Sequence, residues 1–518
     1  MGRVNSAPNT RADERSLLIA LFLLGLLSRL PFTSQILYHW DSVNFVFALD
    51  RFDVSVDQPH IPGYPLYVLL GRAVRGLIPD PNTALIAIAL VSTGLSVVAL
   101  YLLGKAMFSR TTGLVAALAL ATSPLFWFYG EIALPHSLDT LMVIAMAWLL
   151  YRVRQGEQRL LMPAAIVMAV AGGLRPQTQV FLMPLALFAA WGASRRALLP
   201  ALALMIAVDL AWLIPLLDSA GGLSRYVSIF NAFSGRFNAS TAVYAAGLSG
   251  ITRNLTKIGT YTLYGWGAAA VSTAVYAITR LPTLPRLLKS RRAWFLLFWM
   301  APSLGYYTLV HMGQQGLVFV YLPALILAGA ESVHRLLGAR SRAMWALVGA
   351  GIIAQAAVFV FVPTYPLGES SIKLLTWDTL RIHDAYYLER LAQVRAQFPA
   401  ERAIVVGAQW RHLQYYLSGY PLIRFDLIDT SDLEAGQSAG NNETLKVFAP
   451  SDLTGRADGD PAYLIVFDDD LLPFFDAPEE AKLTTSGTVR VTYVEVRSGE
   501  KVYVDADSFG LMPVSSTR

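Results

Sequence analysis

Up to about residue 363 the chain alternates long apolar blocks with short polar breaks, and beyond that point the pattern changes to short runs separated by polar turns. A helix crosses the hydrocarbon of a bilayer in about 20 residues, so each long block predicts a span. The first runs from Ser16 to Phe32; no small-residue cleavage pattern follows Leu30, so a retained span is expected rather than a signal peptide. Six more are predicted at Thr83 to Met107, Gly113 to Tyr129, Ser137 to Tyr151, Leu160 to Leu174, Gln177 to Trp191 and Ala197 to Leu216. Lys257 to Ile278, Ala293 to Val310, Gly316 to Ser332 and Ala343 to Val362 complete the set. The expected fold is an α-helical polytopic membrane protein with about eleven transmembrane helices over 16–363, preceded by a cytoplasmic tail at 1–15.

Two breaks, 33–82 and 218–256, are too long for simple turns, and long loops of this kind usually carry function. In the first, Asp41 to Phe52 places Val43, Phe45, Val46, Phe47, Leu49 and Phe52 on one broad face, as a helix lying in the interface would. Tyr64 to Leu77 is a second segment of that kind, because Arg72 and Arg75 would be costly at the bilayer centre. From about residue 370 to 518, strand-like runs at Ala403 to Val406, Tyr463 to Phe467 and Val489 to Val496 predict a small α/β domain. Asp468, Asp469 and Asp470 follow the second run, and a solvated turn is the expectation there rather than a metal site.

Composition agrees with the pattern: 55% of residues are hydrophobic and 15% charged, where a soluble domain holds roughly a quarter charged. The net charge of +5 sits largely in short loops between spans, so it reports membrane orientation and not nucleic-acid binding. Cytoplasmic loops retain lysine and arginine, which places the N-terminus inside, with Lys105, Arg110, Arg152, Arg154, Arg195, Arg196, Arg335 and Arg342 on the same side. An odd number of spans then leaves the C-terminal domain outside the cell or inner membrane. Phe126 to Tyr129 reads as an interfacial aromatic anchor at the outer boundary. With no cysteine, disulfides, thiolate nucleophiles and cysteine-held metals are excluded. Asn238, Asn254 and Asn442 stand in glycosylation sequons, a short pattern that occurs often by chance.

The most informative stretch is Tyr38 to Tyr67, with Trp40 and Asp41 soon after the first span and then Gln58, Pro59, His60, Ile61, Pro62, Gly63, Tyr64, Pro65, Leu66 and Tyr67. An external acid, an interfacial helix and a His-x-Pro-Gly-Tyr-Pro-Leu-Tyr segment in this order resemble the GT-C class of integral membrane glycosyltransferases, which includes protein O-mannosyltransferases and the lipid A aminoarabinose transferase. The resemblance covers about residues 16 to 362. It implies a polyprenyl-phosphate-linked sugar as donor, an acceptor glycan, lipid or protein, and an external acid near the first span as base.

Asp41 stands at that position, and the chemistry is consistent: a hydroxyl loses a proton as it attacks the anomeric carbon, so a positioned carboxylate supplies a general base. A phosphate leaves without strong acid assistance, so the paired acids of glycoside hydrolysis are not needed. Helix N-capping is the alternative role for Asp41. Glu131 matches a second acidic position of the class, and Glu131 and Asp139 are expected to approach Asp41 around one outward-facing cavity; for Asp139 and Asp209 capping or interhelical bonding is the default. Arg175, in a short external turn against the positive-inside trend, is a candidate for the donor phosphate together with Arg225, Arg236 and His311, since an arginine fork donates two bonds to phosphate; lipid headgroup anchoring is the alternative for Arg175. His60, Tyr64, Gln314 and Gln315 are candidate substrate contacts, with a structural role for His60 as its alternative. Ser42 stands where O-mannosyltransferases carry a second acid, and no Asp-x-Asp lies near Asp41, so no metal ligand and no required cofactor is assigned, although a divalent ion remains compatible. The rival readings are a transporter or lipid flippase and a non-catalytic receptor or scaffold.

Overall fold

The computed structural model describes residues 10–280, 290–339, 341–366, 372–427, 445–448, 462–468, 471, 475–476, 482–486, 489–496, 502–505 and 509–513. The chain forms two compact units, one of Met1–Ser34 with Phe45–Leu380 and one of Gln35–Asn44 with Arg381–Arg518.

The first unit is helical. It begins with α1 (Thr10–Leu27), α2 (Trp40–Asp50), α3 (Pro65–Arg75) and α4 (Pro81–Met107), then α5 (Arg110–Thr122), α6 (Pro124–Tyr129), α7 (His136–Arg154), α8 (Leu161–Leu174), α9 (Pro176–Ala190) and α10 (Arg195–Ser219). It continues with α11 (Leu223–Thr241), α12 (Val243–Trp266), α13 (Ala268–Arg280), α14 (Arg291–Leu309), α15 (Leu322–Leu337) and α16 (Arg342–Phe361). Among the described residues, four helices can cross a membrane by length and composition alone: Asp13–Phe32, Pro81–Met107, Arg195–Ser219 and Arg342–Phe361. The remaining predicted spans also fall on helices, several shorter or broken. The expected span at Gly113 to Tyr129 divides at Ser123 and Pro124, and α12 gives way to α13 at Gly267, whose φ of +57° suits glycine.

α4 packs against α1, α5 and α7. Asp80 starts it by accepting from the Thr83 N–H, and Pro81 occupies its first turn. α1 and α4 meet at glycines, where a Cβ on Gly25 would lie 2.9 Å from the Gly94 Cα. Close backbone approach of this kind is how helices associate in lipid, where no hydrophobic force acts between them.

Two expectations for this unit need correction. The 218–256 segment is not a loop but the helices α11 and most of the first half of α12, since its apolar positions recur at helical spacing. Phe126, Trp127, Phe128 and Tyr129 are not an interfacial anchor: all are buried, with Trp127 stacked on Phe359 and Phe126 edge-on to Phe319. Asn254 is buried, donates to the Thr241 and Thr308 carbonyls and accepts from the Met312 N–H, so this sequon asparagine serves the fold. Asn442 lies outside the described residues. The segment around α3 does have an outward apolar side, with Leu69 and Leu77 exposed. Arg72 donates from Nε to the Leu49 carbonyl and from Nη2 to the Ala48 carbonyl, closing the C-terminal end of α2, while Arg75 pairs with Asp50.

In the second unit α17 (Trp377–Gln397), from Arg381 onward, and α18 (Trp410–Tyr416) accompany a six-stranded sheet. In chain order the strands are β1 (Tyr365–Pro366) and β2 (Lys373–Leu374), which pair within the first unit, then β3 (Ala403–Gly407), β4 (Leu422–Leu427), β5 (Leu445–Phe448), β6 (Ala462–Val466), β7 (Phe475–Asp476), β8 (Lys482–Ser486), β9 (Val489–Val496), β10 (Val502–Asp505) and β11 (Phe509–Pro513); the six-stranded sheet has the order β11-β4-β3-β6-β9-β8, and β5-β10-β7 form a separate one. β3 is parallel to both β4 and β6; the outer pairs are antiparallel. β3 is buried at every position, the pattern of a parallel strand covered on both faces. The core joins Tyr387, Leu391, Val394 and Phe398 of α17 and its C-terminal flank to Val405, Ile465 and Phe467, and it includes Ile36 from the segment that follows the first span. Asp468 does not sit in a solvated turn. It is buried, accepting from the Tyr386 hydroxyl and the Ala408 N–H, both at 2.7 Å; Asp469 and Asp470 lie outside the described residues.

Candidate functional site

In the helical unit the candidate residues gather around buried charge pairs. Asp139, in the first turn of α7, accepts from Arg175 Nη1 at 3.1 Å and from the Thr178 hydroxyl at 2.6 Å. Arg175 lies between α8 and α9, where Pro176 starts the next helix. A charge taken out of water demands such a partner, so two residues that the sequence proposes separately form one pair. The buried Tyr307 hydroxyl makes no hydrogen bond. Tyr64 has a φ of +49°, an uncommon conformation for a residue with a side chain. It lies against Phe45 and His60. His60 is buried among Phe45, Tyr64 and Phe233.

Glu131 follows α6 and is wholly buried. Arg29, also wholly buried, donates to the carbonyls of Gly25 and Ala121 and to the Ser28 hydroxyl, and lies over the Phe126 and Trp127 rings at 5.7 and 5.3 Å. Neither Glu131 carboxylate oxygen makes a hydrogen bond. Burial pushes the Glu131 carboxyl well above the ordinary range, with the Arg29 charge acting in the opposite direction. Sequence reading gives Arg29 no role. The signal was present, because an ionisable residue inside an apolar span marks a site by default.

His311 follows α14, where its Nδ1 lies 3.1 Å from the Thr241 hydroxyl and its ring meets Phe237. Burial, with the charges of Lys257 and Arg253, pushes its imidazole down to about 4, so it is neutral at pH 7. Lys257, itself buried, and Arg253 are thus further cationic candidates that sequence reading missed. Arg225 and Arg236 are exposed on α11, Arg236 lying over the Phe233 ring. Gln315 is buried and donates to the Lys373 carbonyl, while Gln314 precedes it half-buried. Gln179 donates to Asp209, the interhelical bond expected of that aspartate. A cavity of about 400 Å³ lined by Val115, Ala119, Ala268, Val333 and Ile352 contains none of these candidates.

Asp41 belongs to the second unit. It is not the residue before a helix but lies inside the first turn of α2, where a negative charge meets the positive end of the helix dipole. Its carboxylate is 3.4 Å from His39 Nδ1 and its side chain is 17% exposed, so it is screened yet accessible. Among the described residues, no group of three or more histidine, aspartate or glutamate side chains is arranged to hold a metal.

The structure of ArnT from Cupriavidus metallidurans bound to undecaprenyl phosphate superposes with a TM-score of 0.54 at 12% identity, covering 95% of this chain and 98% of that one. The fold is that of the GT-C membrane glycosyltransferases. The apo form of ArnT gives a TM-score of 0.50, again at 12% identity, over 94% of this chain and 98% of that one. The family model for dolichyl-phosphate-mannose-protein mannosyltransferases matches residues 57–218, a stretch of the GT-C fold that contains Tyr64, Glu131, Asp139 and Arg175. The Archaeoglobus fulgidus oligosaccharyltransferase, at 13% identity over 79% of this chain and 64% of that one, reaches a TM-score of 0.48. No curated protein matches the sequence at a significant level.

Proposed function

We propose that the chain is a glycosyltransferase that moves a sugar from a polyprenyl-phosphate carrier to an acceptor hydroxyl on the extracytoplasmic side, with Asp41 as general base. The observation that carries this reading is a half-screened carboxylate in the first helical turn after the first span of a GT-C fold. ArnT, whose fold this chain shares, binds undecaprenyl phosphate. Here a lipid phosphate of that class is the leaving group.

In the proposed step the acceptor oxygen attacks the anomeric carbon and its proton passes to the Asp41 carboxylate. A new C–O bond forms as the bond to the phosphate oxygen breaks. The electron pair leaves with the polyprenyl phosphate, and direct displacement inverts the anomeric centre. The added charge on the phosphate calls for fixed cations and donors. Arg175, Lys257 and Arg253 supply positive charge in the helical unit, and the neutral His311 supplies a hydrogen-bonding group. Arg225 and Arg236 stay exposed and are assigned to the headgroup region. Asp139 holds Arg175 in place, and the Arg29 charge acts on the buried Glu131 carboxyl. The test is to incubate the purified chain with a polyprenyl-phosphate sugar and hydroxyl acceptors and to look for the glycosylated product by mass spectrometry. Release of polyprenyl phosphate coupled to product supports transfer. Lipid movement or binding without product would assign the chain to a flippase or a scaffold instead.

A further inference from the structure

The segment that carries Asp41 is built into the C-terminal α/β unit. The Gln35 N–H donates to Asp384 Oδ2 at 2.7 Å and the Ile36 N–H to Oδ1 at 3.3 Å. The Leu37 N–H donates to the Tyr416 hydroxyl at 2.9 Å, and the Leu37 carbonyl accepts from His412 Nε2 at 2.8 Å. Ile36 enters the core of the domain, Tyr38 lies against His383, and Trp40 is edge-on to Trp410 at 5.2 Å. Four consecutive polar backbone contacts followed by two ring contacts fix the chain up to the residue before the acid.

The location follows from the sheet. β3 lies between β4 and β6 and is parallel to both, so the chain leaves its carboxyl end in one direction for β4 and approaches β6 on the other side. That reversal is the topological switch point, the place where open α/β sheets hold ligands. Ala408, which follows β3, donates to Asp468, which follows β6, and this bond ties the carboxyl ends of the two strands together. Trp410 and His412 begin α18 directly after β3, so the groups that grip 37–40 stand at the carboxyl end of that strand. The domain uses its ligand position to hold its own chain.

From this juxtaposition we infer that Asp384, Tyr416 and His412 are positioning residues for the Asp41 base, and that the C-terminal domain serves catalysis by holding the 35–44 segment in one geometry. The inference rests on Asp41 being the base as proposed above. His412 suits the part because burial keeps its imidazole neutral; with a carbonyl as acceptor, Nε2 carries the proton. A reacting group displaced by about 1 Å can lose about 100-fold in rate, so a loop released from these contacts would lower turnover with little effect on donor binding.

The experiment combines hydrogen exchange and kinetics on the full-length chain in lipid nanodiscs, using Asp384→Asn and Tyr416→Phe. The expected result is amide exchange across 35–37 faster by about tenfold while β3 and β6 stay protected, together with a kcat lower by about 10- to 100-fold and a donor KM within about twofold of the parent. If Asp384→Asn also exposes β3 and β6, Tyr416→Phe decides, since it removes one hydroxyl from the surface of the contact. Unchanged exchange in 35–37, or faster exchange with an unchanged kcat, would overturn the inference. Failure of the base reading is distinguishable: Asp41→Asn would then keep its turnover, whereas the exchange result in the two anchor variants would stand unaltered.

Discussion

Arg175 Nη1 stands 3.1 Å from Asp139 Oδ2 with both side chains buried, so each ion is the other's compensation for lost water. Breaking such a pair by removing one partner costs about 3–5 kcal/mol, because a charge is left without a counterion. Arg175→Met is therefore expected to lower the thermal stability of the purified chain severely, and Asp139→Asn less, since its amide still meets the Thr178 hydroxyl. The double variant should recover much of the loss. Additive effects in the double-mutant cycle would contradict the pairing.

Glu131 and Arg29 make a different prediction. Arg29 donates three hydrogen bonds, whereas the Glu131 oxygens make none and its carboxyl is pushed up by burial. Glu131→Gln is expected to change stability by no more than about 1 kcal/mol, whereas Arg29→Met removes two buried hydrogen bonds to backbone carbonyls and costs about 2–4 kcal/mol. Both are read from unfolding midpoints in one detergent. An Arg29→Met variant as stable as the parent would remove Arg29 from the framework. Loss of transfer in a fully stable Glu131→Gln would place Glu131 in the chemistry itself.

The spans were legible because their signal is local: a run of apolar residues long enough to cross a bilayer is read off the chain without knowing its neighbours. Asp139 and Arg175 were legible as site candidates because their charge stands out against apolar surroundings, though their pairing, from different helices, was not. Tyr307 and Trp127 were hidden by the same logic, since an aromatic residue inside an apolar run looks like packing. The placement of Asp41 is not legible for another reason. The bond between Gln35 and Asp384 joins residues 349 apart in sequence, and no local pattern announces it. Segment 35–44 therefore read as part of an external loop of the membrane domain, while its hydrogen bonds and core contact belong to the α/β unit. The aromatic cluster at 126–129 fails for want of the same information, because burial by Phe32, Phe319 and Phe359 depends on residues far along the chain.

The α/β unit should also be acid-sensitive through His412. Burial, then His383, pushes its imidazole down to about 3. Between the unfolded value of about 6.5 and that folded value, the unfolded chain binds a proton that the folded chain refuses. Stability is thus full above about pH 6.5 and falls as pH drops toward about 3, at up to about 1.4 kcal/mol per pH unit. Asp468, pushed up by burial, acts in the opposite direction above the ordinary aspartate range. The measurement is the difference in unfolding midpoint between the parent and His412→Gln as a function of pH. The parent should lose stability relative to the variant on acidification from pH 7 to 4.5, and a pH-independent difference would contradict this.

The central claim is that the Asp41 carboxylate takes the acceptor proton. Its most direct test is single-turnover transfer from a polyprenyl-phosphate sugar by Asp41→Asn, with binding of donor measured in parallel. The account predicts a rate about 10²–10⁴-fold lower with donor affinity preserved. Transfer by Asp41→Asn at the parent rate would contradict it.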